Sequence, residues 1–240
     1  ATNMSQNQIM DLNSFRLGLS CKLSGCDAGK YGQCELVDAL TGCYSCKVDV
    51  CHRCPVGKYS ANIGAVLESN CTECEEGKFN SKMGSSNCST CSSGHYASET
   101  NYAETGIGVA SGASFCLSCP PGKYQNESLS AHCYNCQIGY SSPQGSTTCT
   151  ACQRGKYADS AGIAKCINCP EGKYGNGTHV VSCERCRDGT WSKTGEIKCT
   201  HCTANYYRKA SKCVACPDGA ACPKFTTLQN MQLKEDYWRS

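Results

Sequence analysis

The stretch Cys54-Pro55-Val56-Gly57-Lys58-Tyr59 decides how this chain folds, because it returns along the sequence. It comes back as Cys74-Glu75-Glu76-Gly77-Lys78-Phe79, Cys119-Pro120-Pro121-Gly122-Lys123-Tyr124, Cys152-Gln153-Arg154-Gly155-Lys156-Tyr157 and Cys169-Pro170-Glu171-Gly172-Lys173-Tyr174. Each copy opens on the second cysteine of a Cys-x-x-Cys pair, and such pairs recur about every 16 or 17 residues. A fixed period means one small unit used many times, each too small to bury a core alone. From the second cysteine of one pair to the first of the next we read one module: Cys-x-x-Gly-x-aromatic, a polar turn, a short return strand, and one closing disulfide. Glycine supplies a positive φ or a close chain approach. The aromatic is expected to pack over the disulfide. Closing such a loop stabilises by roughly 3 kcal/mol in the chain-entropy account.

Composition agrees. The chain has 26 Cys in 240 residues but only 4 Phe and 2 Trp, so cross-links replace apolar burial. Cysteines in this number persist as disulfides in an oxidising compartment, which predicts an extracellular or cell-surface location. The net charge is +3 with no basic run, so no nucleic-acid footprint is expected. No apolar stretch is long enough to span a bilayer, so no transmembrane segment is expected within the chain. The opening Ala1-Thr2-Asn3-Met4-Ser5 lacks a charged flank and apolar core; the chain is expected to be processed or cut from a longer precursor.

Cys21, Cys26, Cys34 and Cys222 fall outside the Cys-x-x-Cys pairs, and the even total permits full pairing. Three modules depart from the pattern. The one from Cys91 to Cys116 carries an insert, residues 100–114, expected as a surface loop and a candidate contact. In Cys136-Gln137-Ile138-Gly139-Tyr140 the aromatic comes one place early, which predicts a different turn. In Cys202-Thr203-Ala204-Asn205 the glycine is replaced by Asn, the residue next most tolerant of positive φ. Residues 1–53 read as an irregular amino-terminal cap with a divergent module, 54–213 as the tandem array, and 214–240 as a carboxy-terminal cap and tail. Asn-x-Ser/Thr acceptor patterns for N-glycans occur at Asn3, Asn70, Asn87, Asn126 and Asn176; the middle residue at Asn70 and Asn87 is Cys, which hinders modification.

The unit resembles the first module of tumour necrosis factor receptor cysteine-rich domains. It resembles more closely the ephrin-receptor-like, or growth-factor-receptor-like, repeats of protist and algal surface proteins. The resemblance runs from about Cys26 to Cys222. It implies the disulfides Cys54–Cys71, Cys74–Cys88, Cys91–Cys116, Cys119–Cys133, Cys136–Cys149, Cys152–Cys166, Cys169–Cys183, Cys186–Cys199 and Cys202–Cys213. At the ends we expect Cys216–Cys222, Cys46–Cys51, Cys26–Cys43 and Cys21–Cys34. No ligand-binding residue of the receptors aligns.

Zinc is the rival for Cys-x-x-Cys, but the unbroken ladder and the intervening Gly-x-aromatic unit weigh against it. The histidines are scattered, no phosphate loop, nucleophile motif or calcium loop is present, and no cofactor, metal or catalytic residue is expected. The recurring lysines 30, 58, 78, 123, 156 and 173 form either a solvated edge or a row that binds a partner. The expected fold is small and disulfide-rich: an elongated array of short β-hairpin modules with little helix and no central hydrophobic core. The expected function is that of an extracellular structural protein, not an enzyme. It would be a rod-like spacer or filament subunit of a cell-surface coat or of a flagellar or ciliary appendage, partnered by copies of itself or other surface proteins. The alternative is the ligand-binding ectodomain of a receptor or adhesin.

Overall fold

The computed structural model describes residues 26–38, 43–101 and 105–235. The chain divides into two compact units, Ala1–Leu117 with Glu127–His132, and Ser118–Asn126 with Cys133–Ser240. Each is built from the same part: a two-stranded antiparallel hairpin closed by one disulfide. In the first unit Lys58–Tyr59 pairs with Thr72–Glu73, and Lys78–Phe79 with Ser89–Thr90. In the second, Lys156–Tyr157 pairs with Ile167–Asn168, and Lys173–Tyr174 with Glu184–Arg185. Strands of two residues cannot sustain a sheet alone. The only helical turn among the described residues is the 3-10 segment Glu68–Asn70.

The hairpins are held to one another mainly by backbone. The Gly155 N–H donates to the Gly175 carbonyl (2.8 Å), the Ala158 N–H to the Val180 carbonyl (3.0 Å), and the His179 N–H to the Cys152 carbonyl (3.1 Å). These three bonds stitch the module opening at Cys152 to the one opening at Cys169. The same set joins the modules opening at Cys26 and Cys54, Cys54 and Cys74, Cys119 and Cys136, Cys169 and Cys186, and Cys202 and Cys216. Each such bond contributes about 1 kcal/mol net, and each would cost more if left unmade. The close approach explains the repeated glycine. Gly155 has φ +79°, and a Cβ there would lie 2.1 Å from the carbonyl oxygen of Gly195, which belongs to the module after next. The turn position that makes this approach is held at positive φ even by other residues: Leu129 (67°), His179 (63°) and Phe225 (70°). Asn205 stands in for the module glycine at φ 68°.

The buried residues are mostly cysteines and small side chains; Tyr96 and Gln125 are the largest of those fully buried. Cys54, Cys74, Cys91, Cys119, Cys136, Cys152 and Cys169 are fully buried, while the module aromatics Tyr59, Phe79, Tyr124, Tyr157 and Tyr174 are only half-buried. The residue that follows each aromatic is buried instead. Asn80 donates through Nδ2 to the Lys58 carbonyl (2.7 Å), Ser142 through Oγ to the Lys123 carbonyl (2.9 Å), and Ser192 through Oγ to the Lys173 carbonyl (2.7 Å). The one small apolar cluster gathers Cys91, Ala97 and Ala113, with Phe79, Val109 and Cys116 against it. No central hydrophobic core exists among the described residues.

Two expectations change and two gain detail. Cys26 is bonded to Cys51, not to Cys43, so Cys51 is not free for Cys46. The reason is register. Lys30–Asp38 pairs with Cys43–Arg53 in a long hairpin in which Lys30 faces Arg53 and Tyr31 faces His52, as Lys58 faces Glu73 and Tyr59 faces Thr72. Cys51 therefore sits where Cys71 sits in the next module, and the extra residues form the outer hairpin, with the Cys34 backbone opposite Cys46. Cys21 lies outside the described residues. Second, the turn at Gly139 does not differ. Tyr140 faces Ala151 and Ser141 faces Thr150, so Tyr140 takes the lysine place and Ser141 the aromatic one. Third, part of the insert folds in, while Asn101, Thr105, Ile107, Ala110 and Ser111 stay exposed at the surface. The Gly112 N–H donates to the Cys74 carbonyl (2.9 Å) and Val109 N–H to Ala97 (3.1 Å), and Ala113 is buried, so residues 108–114 supply this module's turn. Tyr96 is buried beside it, and burial pushes its phenol up against an opposing backbone hydrogen bond at Gly106. Fourth, the tail completes a module. Gln232–Leu233 pairs with Ala220–Ala221, and Lys234 N–H donates to the Gly219 carbonyl (2.9 Å), as Cys74 N–H does to Gly57 (2.8 Å). Met231 and Lys234 thus occupy cysteine positions, and Cys222, in the buried small-residue position, bonds to Cys216 instead.

Peptide mapping without reduction is expected to recover Cys26 joined to Cys51 and Cys216 joined to Cys222; a Cys26–Cys43 peptide would contradict the register. Gly155→Ala is expected to cost about 2 kcal/mol or more in denaturant unfolding with disulfides intact. Gly177→Ala, where the nearest heavy atom is 3.7 Å away, is expected to change stability by less than about 0.5 kcal/mol.

Candidate functional site

The features with chemical potential are the cysteines, the recurring lysines, the histidines, the acceptor asparagines and the grooves between hairpins. The cysteines are structural. All those with described side chains are in disulfides, with Cα–Cα separations near 5.7 Å, as in Cys54–Cys71, Cys119–Cys133, Cys152–Cys166 and Cys169–Cys183. A sulfur in a disulfide is not a thiolate and cannot ligate zinc or attack as a nucleophile. Among the described residues no three His, Cys, Asp or Glu side chains gather as a metal site.

The lysine row is partly neutralised. Lys30 pairs with Asp27 (3.0 Å), Lys78 with Glu75 (2.7 Å), and Lys58 with Glu73 across the hairpin (3.8 Å). The Lys78 hydrogen bond holds the Glu75 carboxyl below its usual range and the Lys78 amine above its own. Both groups are exposed, so the pair contributes little to stability. The histidines are dispersed. His52 lies beside Tyr31 (5.6 Å between rings), His179 beside Tyr140 (4.9 Å) and His201 edge-on to Phe225 (5.0 Å), with Nε2 of His201 3.0 Å from Glu196 Oε1. Near it Lys224 Nζ sits 4.0 Å over the Trp191 ring, and that ring covers Gly172 so closely that a Cβ there would meet it at 2.6 Å. The Tyr31–His52 contact lies within one hairpin, whereas Tyr140–His179, His201–Phe225 and Lys224–Trp191 reach from one module to the module after next.

Two grooves open on the second unit. One, of about 300 Å³, is lined by Tyr124, Asn126, Gln137, Tyr140, Thr148 and Cys149. The other, of about 820 Å³, includes Tyr174, Asn176, Arg187, Thr190, Lys198 and Cys199. Each residue of the first set lies 50 residues before its counterpart in the second. Each is lined by a module tyrosine held from the facing strand: Tyr124 lies against Tyr134 (6.2 Å between rings), and the Tyr174 hydroxyl donates to Glu184 Oε2 (2.6 Å). That bond and the nearby carboxylate raise the Tyr174 phenol above its ordinary 10.0.

Asn126 and Asn176, which the sequence offers as glycan acceptors, stand exposed at these two grooves. Asn70 and Asn87 are also exposed, but each directly precedes a disulfide cysteine, and Asn70 Oδ1 accepts from the backbone N–H of Val66 (3.1 Å) and Leu67 (3.0 Å). Asn3 lies outside the described residues. The grooves, their three-module spacing and the buried Ser142 and Ser192 were missed by motif reading. Laying 119–168 over 169–218 reveals all three.

Residues 139–188 match the family model described as tyrosine-protein kinase ephrin type A/B receptor-like. That segment is ephrin-receptor-like, and the described residues form a repeated array of disulfide-bonded short hairpins. A search of curated proteins finds no match. The family is of receptor-ectodomain rather than enzyme type. With the many disulfides it points to a receptor-like or surface domain, extracellular or at the cell surface. Among the described residues no helix is long and apolar enough to cross a membrane.

The Tyr174 phenol is expected to titrate above 10.0 by NMR. Its donating form is then complete at neutral pH, and the bond to Glu184 is lost as pH rises through the raised value. Glu184→Gln is expected to return the titration toward the ordinary range, and an unchanged titration would remove the carboxylate as its cause.

Proposed function

We propose that this chain is an extracellular structural protein, a rod-like spacer or filament subunit of a cell-surface coat or of a flagellar or ciliary appendage. Its partners are copies of itself or other surface proteins, and its own job is to hold a fixed, chemically durable scaffold. The observation that carries this is the repetition of one backbone-to-backbone joint at six pairs of successive hairpins, each pair lying within one unit. A joint made by main chain tolerates different exposed side chains, which suits a spacer. In the same reading, residues 1–53 and 214–240 are terminal caps and 54–213 the repeated body.

The second reading, a ligand-binding receptor or adhesin ectodomain, is favoured by the receptor type of the matching family and by the individual module at Cys91–Cys116. That module exposes Ile107, but its Ala113 and Ser114 are buried, which narrows the face it offers to a ligand.

Negative-stain electron microscopy of unreduced material from its native source separates the two. Regular filaments or sheets are expected. Particles that remain single at high concentration would overturn the structural reading in favour of a receptor.

A further inference from the structure

Five acceptor patterns in the sequence are equivalent by motif alone, but the fold does not treat them alike. Asn126 and Asn176 occupy one position in modules opening at Cys119 and Cys169, 50 residues apart. Both are exposed, both lie two places beyond a tyrosine that lines a groove, and both precede a turn residue at positive φ, Leu129 (67°) and His179 (63°). The middle residues, Glu127 and Gly177, carry no sulfur. At Asn70 and Asn87 the middle residues Cys71 and Cys88 are bonded to Cys54 and Cys74. There the disulfide that closes the module competes with modification, and Thr72 and Ser89 are drawn into strands.

We infer that Asn126 and Asn176 are the N-glycan sites of the described chain, that Asn70 and Asn87 are not, and that the first sugar of each glycan lies in the groove beside its asparagine. The groove volumes, about 300 and 820 Å³, fall in the range of roughly 300–1,000 Å³ that receives small ligands. The tyrosine ring offers an apolar face to the C–H groups of a pyranose, and Gln137 and Thr148, or Arg187 and Lys198, offer polar groups to its hydroxyls. In the step itself, Asn Nδ2 bonds to the anomeric carbon of a lipid-diphosphate-linked oligosaccharide. The bond from that carbon to the diphosphate breaks, the lipid diphosphate leaves with the electron pair, and the amide gives up one proton. Nothing is oxidised or reduced. None of this depends on whether the chain assembles into filaments.

The full chain, secreted from a cell line with N-glycosylation machinery, would be treated with an amide-cleaving glycosidase in heavy-oxygen water and mapped by mass spectrometry. Asn126 and Asn176 are expected to appear as heavy-oxygen Asp, with Asn70 and Asn87 unchanged. Unmodified Asn126 and Asn176, or equal modification at Asn70 and Asn87, would overturn the assignment. Hydroxyl-radical footprinting then compares the glycosylated chain with N126Q/N176Q and, so that the asparagines themselves stay in place, with S128A/T178A. Tyr124 and Tyr174 are expected to be labelled severalfold less in the glycosylated chain, with Tyr59 and Tyr157 equal in all three. Equal labelling of Tyr124 and Tyr174 would show that the sugars stand away from the grooves.

Discussion

Everything in this molecule follows from the distance at which one hairpin's backbone meets the next. Donors at Gly155, Ala158 and His179 reach carbonyls of the neighbouring module within 2.8–3.1 Å. The module after next comes close as well: a Cβ at Gly155 would lie 2.1 Å from the Gly195 carbonyl oxygen, so the position stays glycine. Glycine and a turn held at positive φ are two consequences of this close stacking. The disulfide supplies what the stacking excludes: with no thickness of apolar side chains to bury, each loop is closed covalently.

This explains which parts of the fold were legible in the sequence. Cysteine spacing and the Gly-x-aromatic unit report directly on the hairpin, so the closing pairs from Cys54 onward and the role of Asn205 could be read. The joints between hairpins are made by main chain and leave only a faint signature, the Ser, Asn or Ala after the aromatic, so Ser142 and Ser192 looked like ordinary turn residues. Tyr140 misled because the eye aligns aromatics whereas the backbone aligns on Gly139. At the amino end the expected partner of Cys26 is Cys43, but the strand pairing skips the outer hairpin and selects Cys51. At the other end Met231 and Lys234 keep the register without the sulfur that would reveal it.

The candidate sites were legible to a different degree. The acceptor asparagines are short motifs, visible at once and undiscriminating. What sorts them is the setting: a disulfide one residue away from Asn70 and Asn87, and a tyrosine-lined groove beside Asn126 and Asn176. Those grooves form between consecutive modules, so no single repeat contains one, and a scan for residues close in sequence passes over them.

The disulfides also set how far the chain can be drawn out. Between the bridge Cys54–Cys71 and the bridge Cys74–Cys88 the covalent route runs through only Thr72 and Glu73, and each bridge spans under 6 Å between Cα atoms. A pull on the two ends bypasses each loop through its sulfur bridge. A fully unravelled module then lengthens to about 16 Å, against almost 60 Å for the same residues without the bridge. Tension can therefore undo the hydrogen-bonded joints and still find a chain of nearly fixed contour, a leash with very little slack.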